Sequence, residues 1–140
     1  MVAWRHRNDD SRTRADRRRV DVAGGCHHGP LIEQAIPVLK VADAAASAAW
    51  YGRLGFTRLW EHRFEPGFPA FAEMARGQVR LFLSEHEGDA PRCGLVYLRL
   101  ADVDEMAARF GTRARDTEWG TRECELRDPD GNRIRIGALG

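Results

Sequence analysis

The stretch WGTRECELRDPDGNRI, Trp119 to Ile134, decides how this chain folds. Two alternating runs, ECELRD and NRIRI, flank Asp128-Pro129-Asp130-Gly131-Asn132. Asp and Asn hydrogen-bond their own nearby backbone, Pro presets φ, and Gly accepts a left-handed conformation. The five residues therefore spell a tight turn between two strands. A tryptophan stands just ahead of this hairpin, and its role, packing or binding, is the first functional question the sequence raises.

Working outward, LVYLRL (95–100) reads as a strand. Asp102-Val103-Asp104-Glu105 resembles a capping box, opening a helix that runs to about Phe110 and stops at Gly111. A short TRARD segment precedes the hairpin. The first half has the same order. EQAIPVLKV is a strand, and Asp43 is a plausible N-cap for a helix over Ala44–Arg53 that ends near Gly55. FTRLWEHRF is a strand, EPGFP a turn, and PAFAEMA with QVRLFLSEH a hairpin around Arg76-Gly77. The expected fold class is α+β, with two tandem βαβββ modules at about 33–87 and 93–137. Each module covers one sheet face with its helix. The other face stays open until the two join edge to edge and curl into a shared trough.

The length, 140 residues, fits one domain of ordinary core size, and no run of about 18 apolar residues suggests a membrane span. Residues 1–30 hold seven Arg against four Asp, a net of +3. The remaining 15 basic and 17 acidic residues lie in 31–140, a net of −2. With few large apolar residues and no periodicity, the first 30 residues cannot offset their chain entropy and are expected to form a disordered basic tail. A basic tail can touch nucleic acid or acidic lipid, but a plain solvated extension explains it as well, so no nucleic-acid or membrane partner is assigned. No apolar segment of a secretory signal follows the arginines, and three widely spaced cysteines (Cys26, Cys93, Cys124) fit reduced thiols. A cytoplasmic protein is expected, with Cys93 and Cys124 as small core thiols.

Four segments in order, AIPVL (35–39), WYGRLGF (50–56), QVRLFLSEH (78–86) and WGTRECELRDPDGN (119–132), together resemble the bleomycin-resistance proteins. These belong to the glyoxalase/bleomycin-resistance/extradiol-dioxygenase (vicinal oxygen chelate) superfamily of paired βαβββ modules. The resemblance covers about residues 33–137. It implies a homodimer that sequesters a drug between subunits without reacting with it.

Enzymes of the superfamily place His, Glu or Gln on four trough-facing strands to hold a divalent metal. By the resemblance, the corresponding positions here are Ile36, Phe82, Leu95 and Arg135. Two aliphatics, an aromatic and a cation offer no ligand set, so no metal and no cofactor are expected. Of the five histidines, His6, His27 and His28 lie in the tail. His62 and His86 fall near strand ends, where a surface histidine is the simpler reading. No nucleophile elbow, P-loop or dinucleotide fingerprint occurs. No catalytic residue is assigned.

Strand alternation sorts the faces. Val79, Leu81, Leu83, Val96, Leu98, Leu100, Ile134 and Ile136 are expected beneath the helices. Arg80, Phe82, Ser84, Leu95, Tyr97, Arg99, Arg133 and Arg135 are then on the trough side. Phe82 and Tyr97 are joined there by Trp60 and by Trp119, with Phe64 and Phe68 as a rim beside the EPG turn. Such aromatic walls suit a flat heteroaromatic ligand. Trp119 and Tyr97 also match groove-lining aromatic positions of the family, and the resemblance places Gly131 and Asn132 near ligand. Trp50 and Leu54 are assigned to the helix's core face.

The expected function is therefore a non-catalytic, dimeric binder of a flat heteroaromatic antibiotic. Two features keep other readings open. Family members that bind cationic bleomycin are strongly acidic, whereas Arg80, Arg99 and Arg135 face this trough and would repel a cation unless paired with Glu123 or Glu125. The segment from Phe110 to Trp119 is also short for the family. A binder of a different, anionic aromatic metabolite and a metal-dependent glyoxalase- or dioxygenase-like enzyme are the alternatives.

Overall fold

In the computed structural model, which describes residues 32–140, the first module is β1 (Val38–Lys40), α1 (Ala44–Gly52), β2 (Thr57–Arg63), β3 (Ala70–Arg76) and β4 (Val79–Ser84). The second is β5 (Leu95–Arg99), α2 (Val103–Arg109), β6 (Arg115–Asp116), β7 (Thr121–Arg127) and β8 (Arg133–Leu139). Residues Ile36–Gly140 form one compact unit. The expectations for residues 1–30, including the tail's disorder, Cys26, His6, His27 and His28, lie outside the described residues. Among the described residues no helix is long and apolar enough to cross a membrane.

Both modules build a four-stranded mixed sheet of the same topology, β1-β4-β3-β2 and β5-β8-β7-β6, with the first pair of each parallel and the rest antiparallel. The two βαβββ units are thus present. Strand β1 is shorter than the expected EQAIPVLKV run. Pro37 has no N–H to donate, so it contributes only its carbonyl, which accepts from the Phe82 amide at 2.9 Å, and the ladder starts at Val38.

Helix α1 is capped by the Asp43 carboxylate, which accepts from the Ala45 and Ala46 amides at 3.0 and 3.1 Å. Its buried stripe is Ala44, Ser47 and Tyr51. Leu54 just beyond is fully buried as expected. Trp50, however, is only half-buried, edge-on to Tyr51 and 5.0 Å from the Phe110 ring. The start of α2 differs from the expected capping box, because the Asp102 side chain caps nothing. Its carboxylate instead accepts from Arg76 at 2.6 Å, and the same guanidinium reaches the Leu54 carbonyl at 2.9 Å. A charge-assisted bond across the modules has displaced the local cap.

The expected edge-to-edge joining is corrected by the topology: the two sheets are separate, with no strand ladder between them. What joins them is a shared core and the DPDGN turn. Leu39, Tyr51, Met74, Leu81 and Leu83 of the first module pack in one buried cluster with Leu98, Met106, Leu126, Ile134 and Ile136 of the second. Gly131 takes φ +80, the left-handed conformation that only a residue without Cβ adopts freely. The turn then reaches into the first module. Tyr51 donates to Asp128 at 2.7 Å, Ala42 N and Ser47 Oγ donate to Asp130, and the Asn132 amide donates to the Lys40 carbonyl at 2.9 Å. Burial, then the Asp128 bond, pushes the Tyr51 hydroxyl far above the ordinary tyrosine range. Tyr51 therefore stays a neutral donor.

Asn132 is 0% exposed, and its Oδ1 also accepts from Gly94 N at 2.9 Å while Nδ2 donates to Asp128 at 2.8 Å. Asn132→Ala should remove the bonds to the buried Lys40 carbonyl and the half-buried Gly94 amide, while Asp128 keeps its bond from Tyr51, and cost about 3 kcal/mol in a urea titration. Asp130→Ala leaves the exposed Ala42 amide to water and the buried Ser47 hydroxyl to the carbonyl one turn back in its own helix, and should cost about 1 kcal/mol. Equal losses for the two would show that the turn is not the joint between the modules.

Candidate functional site

The face of each sheet turned away from the helices carries the predicted site residues. In the first sheet the inward positions Ala70, Ala72, Met74, Leu81 and Leu83 are buried, which sends Phe71, Glu73, Arg80 and Phe82 to the outer face. Ladder pairing sets Trp60 beside Glu73 and His62 beside Phe71. A ring cluster results: Trp60 stacks on Phe71 at 5.9 Å, Phe71 lies 5.0 Å from Phe82, and Trp60 lies 6.1 Å from Phe82. The Trp60 indole nitrogen donates to Glu73 at 2.8 Å, and Arg80 sits 3.6 Å from the same carboxylate. Phe64 and Phe68 are exposed on the loop after β2. Phe64 meets the His62 ring at 5.0 Å, and Arg63 donates to the Phe68 carbonyl.

The second sheet carries Tyr97 and Trp119 around one carboxylate. Glu123 accepts from the Thr121 hydroxyl at 2.8 Å, the Tyr97 hydroxyl at 2.9 Å and the Trp119 indole at 3.3 Å. The Thr121 bond most, then those from Tyr97 and Trp119, hold Glu123 below the usual carboxylate range. Lost hydration, and then the bond to Glu123, raise the Tyr97 hydroxyl. Trp119 remains 71% exposed and Tyr97 42% exposed, so their ring faces stay open while their polar ends are held. Glu125, the next outward residue, takes two bonds from Arg133 at 2.9 and 3.2 Å and one from Arg135 at 3.3 Å, the Arg133 bonds most lowering its pKa. Arg135 and Arg80 thus do lie beside carboxylates. Beyond β7 and β8 a groove of about 530 Å³ opens, lined by Gly111, Thr112, Arg113, Arg115, Glu123 and Arg135 among others.

The eight predicted site residues therefore fall into separate groups. Trp60 and Phe82 share one patch with Phe64 and Phe68 at its rim, and Tyr97 and Trp119 form a second. Asn132 is sealed in the joint between modules with its amide fully engaged, and Gly131 shapes that turn. Neither presents a side chain to the outer faces. Two expectations from the sequence are corrected here. Cys93 is an exposed loop residue at φ +56, not a core thiol, while Cys124 is buried and its thiol raised in pKa by that burial. His86 is buried, its Nε2 without a partner, not a surface histidine. Phe71, Glu73 and Glu123 were missed as site residues. The alternation of AFAEMAR, with Ala70, Ala72 and Met74 on one face, carried the signal for the first two.

The family model described as glyoxalase superfamily protein matches residues 20–138, and the chain belongs to that superfamily. Against curated proteins there is no significant match. Among solved structures, a bleomycin-binding protein complexed with bleomycin is 27% identical with a TM-score of 0.61, over 78% of this chain and 100% of that one. A bleomycin resistance determinant encoded on the transposon Tn5 is 27% identical with a TM-score of 0.62, over 77% and 98%. Lactoylglutathione lyase from Agrobacterium tumefaciens, 20% identical at TM-score 0.59 over 77% and 95%, shares the fold.

Membership raises the question of a divalent metal. The ladders pair Val38 with Phe82 and Tyr97 with Arg135, so Ile36/Phe82 and Leu95/Arg135 stand at matching offsets in the two modules. None of these side chains offers an oxygen or a neutral nitrogen donor. Among the described residues no three His, Cys, Asp or Glu come together as a ligand group. The residues at these positions do not fit a metal.

Tyr97 reaches Glu123 by crossing Gly137 of β8, where an added Cβ would lie 1.7 Å from the Tyr97 oxygen. Gly137→Ala should push the exposed Tyr97 ring aside and break its bond to Glu123, at a cost of about 1 kcal/mol in denaturant unfolding. The same substitution in a Tyr97→Ala background should cost little, and an equal cost in both backgrounds would locate the clash elsewhere.

Proposed function

We propose that the protein is a non-catalytic binder of the bleomycin-resistance type. It sequesters a flat heteroaromatic antibiotic, or another aromatic metabolite, in a groove completed by a second copy of the chain. The observation that carries this reading is Trp119, whose indole N–H is held by Glu123 while 71% of the residue stays exposed. A large aromatic fixed at one end and bare on its face is arranged to stack on something else. Tyr97, Trp60 and Phe82 extend the same character over the outer faces of both sheets, and Phe64 and Phe68 add an apolar rim. The two patches lie on separate sheets, which is why a second copy is included in the reading. Isologous pairing of two chains sets the same surfaces against each other twice, giving two equivalent grooves. The 27% identity to bleomycin-binding structures over nearly their whole length supports the binding class. The donor-free positions Ile36, Phe82, Leu95 and Arg135 support sequestration without turnover.

The test is tryptophan-fluorescence quenching with flat heteroaromatic compounds, metal-free bleomycin among them, on protein whose oligomeric state is fixed by sedimentation. A bound compound should be recovered chemically unchanged, with or without added divalent metal. Trp119→Ala should weaken it about tenfold. A monomer at all concentrations, metal-dependent turnover of the bound compound, or unaltered affinity after Trp119→Ala would each defeat the reading.

A further inference from the structure

Register places every outward residue of the second sheet. Direct ladder partners share a face, so Tyr97 with Arg135, Arg99 with Gly137, and Leu95 with Arg133 all point outward from β5 and β8. On the other side of β8, Glu123 meets Gly137, Glu125 meets Arg135, and Arg127 meets Arg133. Arg115 of β6 stands opposite Glu123. That face therefore holds five arginines and two glutamates, a local charge of +3 on a body that is mildly acidic as a whole. The two carboxylates are already engaged: Glu125 by Arg133 and Arg135, Glu123 by Thr121, Tyr97 and Trp119.

Two further observations mark this as more than a solvated face. Arg127 and Arg133 are direct cross-strand partners, and since Glu125 is shared between Arg133 and Arg135, it offsets this like-charge pair only in part. Arg113 joins Arg115 and Arg135 in lining the adjoining groove, three arginines against the already bonded Glu123 and Glu125. The outer face of the first sheet contrasts with this, since its Arg80 is balanced by Glu73 among rings. A guanidinium cluster beside open aromatic faces matches a ligand with a planar ring and an acidic group, because the planar fork accepts a carboxylate or phosphate bidentately.

Resting on the groove reading above, we propose that the site selects planar aromatic anions: the ring lies against Trp119 and Tyr97, and the acid group is met by the arginines of the second sheet's outer face. Cationic aromatics are excluded by the same charges.

Calorimetric titration of the full chain with three naphthalene compounds of one shape, 2-naphthoate, 2-naphthamide and 2-naphthylmethylammonium, tests this. Naphthoate should bind about tenfold more tightly than the amide, and the ammonium more weakly than both. Raising ionic strength should compress the series toward the amide. Arg99→Gln combined with Arg115→Gln, both exposed positions, should bring naphthoate to the amide's affinity. An ammonium that binds as well as naphthoate, or a series unmoved by the double substitution, overturns the anion selectivity and leaves the aromatic groove standing. No binding heat and no tryptophan quenching with any of the three removes the groove reading as well.

Discussion

The rest of the molecule depends on a reach of one turn across two modules. Two four-stranded sheets that share no ladder would be free to slide on an apolar core, since hydrophobic burial has no direction. The hydrogen bonds of Asp128, Asp130 and Asn132 supply the direction. Each points at a fixed atom of the β1–α1 region, and Asn132 does so with no water available to substitute. A slip of the second module would leave buried donors and acceptors unpaired, which is costly in a low-dielectric interior. Arg76, reaching Asp102 and Leu54 together, is a second fixed point on the same seam.

That joint also decides which side chains are left for function. Strand alternation commits one set of residues to the shared core, and the complementary set must face outward. The outer set mixes large rings with charges: Trp60, Phe82 and Tyr97 stand among Glu73, Arg80, Glu123 and Arg135, with Trp119 beside them from the loop before β7. Their polar ends are satisfied within the chain by Glu73 and Glu123, so what remains is ring surface. This division, bonded heads and bare faces, is the structural basis of the proposed groove.

Much of this was legible because it rests on period and turn chemistry. The Asp43 cap, the DPDG turn and the sorting of Leu81, Leu83, Ile134 and Ile136 to the core follow from local rules that tertiary contacts did not override. Where tertiary contacts did intervene, local reading failed. Asp102 has the composition of a capping box, yet a guanidinium more than 20 residues away takes its carboxylate. Asn132 reads locally as a turn residue, and local chemistry gives no sign that its amide also bonds Lys40 of the neighbouring module. Cys93 sits in an apolar run, yet the run has not begun to pair at that point. His86 follows a strand and would be solvated if the loop after it were open. Nothing in sequence spacing announces which polar residue will be claimed from afar.

The site's chemistry follows the same logic at one remove. A fold shared by drug-binding proteins and a lyase does not itself choose between holding and transforming a ligand. The choice lies in what stands at a few outward positions. The resemblance puts metal ligands of the superfamily's enzymes at the positions of Ile36, Phe82, Leu95 and Arg135, none of which carries a donor here. With apolar and cationic side chains there, these four positions supply neither a metal ligand nor a group that exchanges a proton at neutral pH, and what they offer a ligand is apolar contact and charge. Arginine, charged at every physiological pH and unable to release a proton, is a poor acid or base and a good clamp. Its accumulation on the sheet face that carries Tyr97 is what lets the proposed site take hold of an acid group.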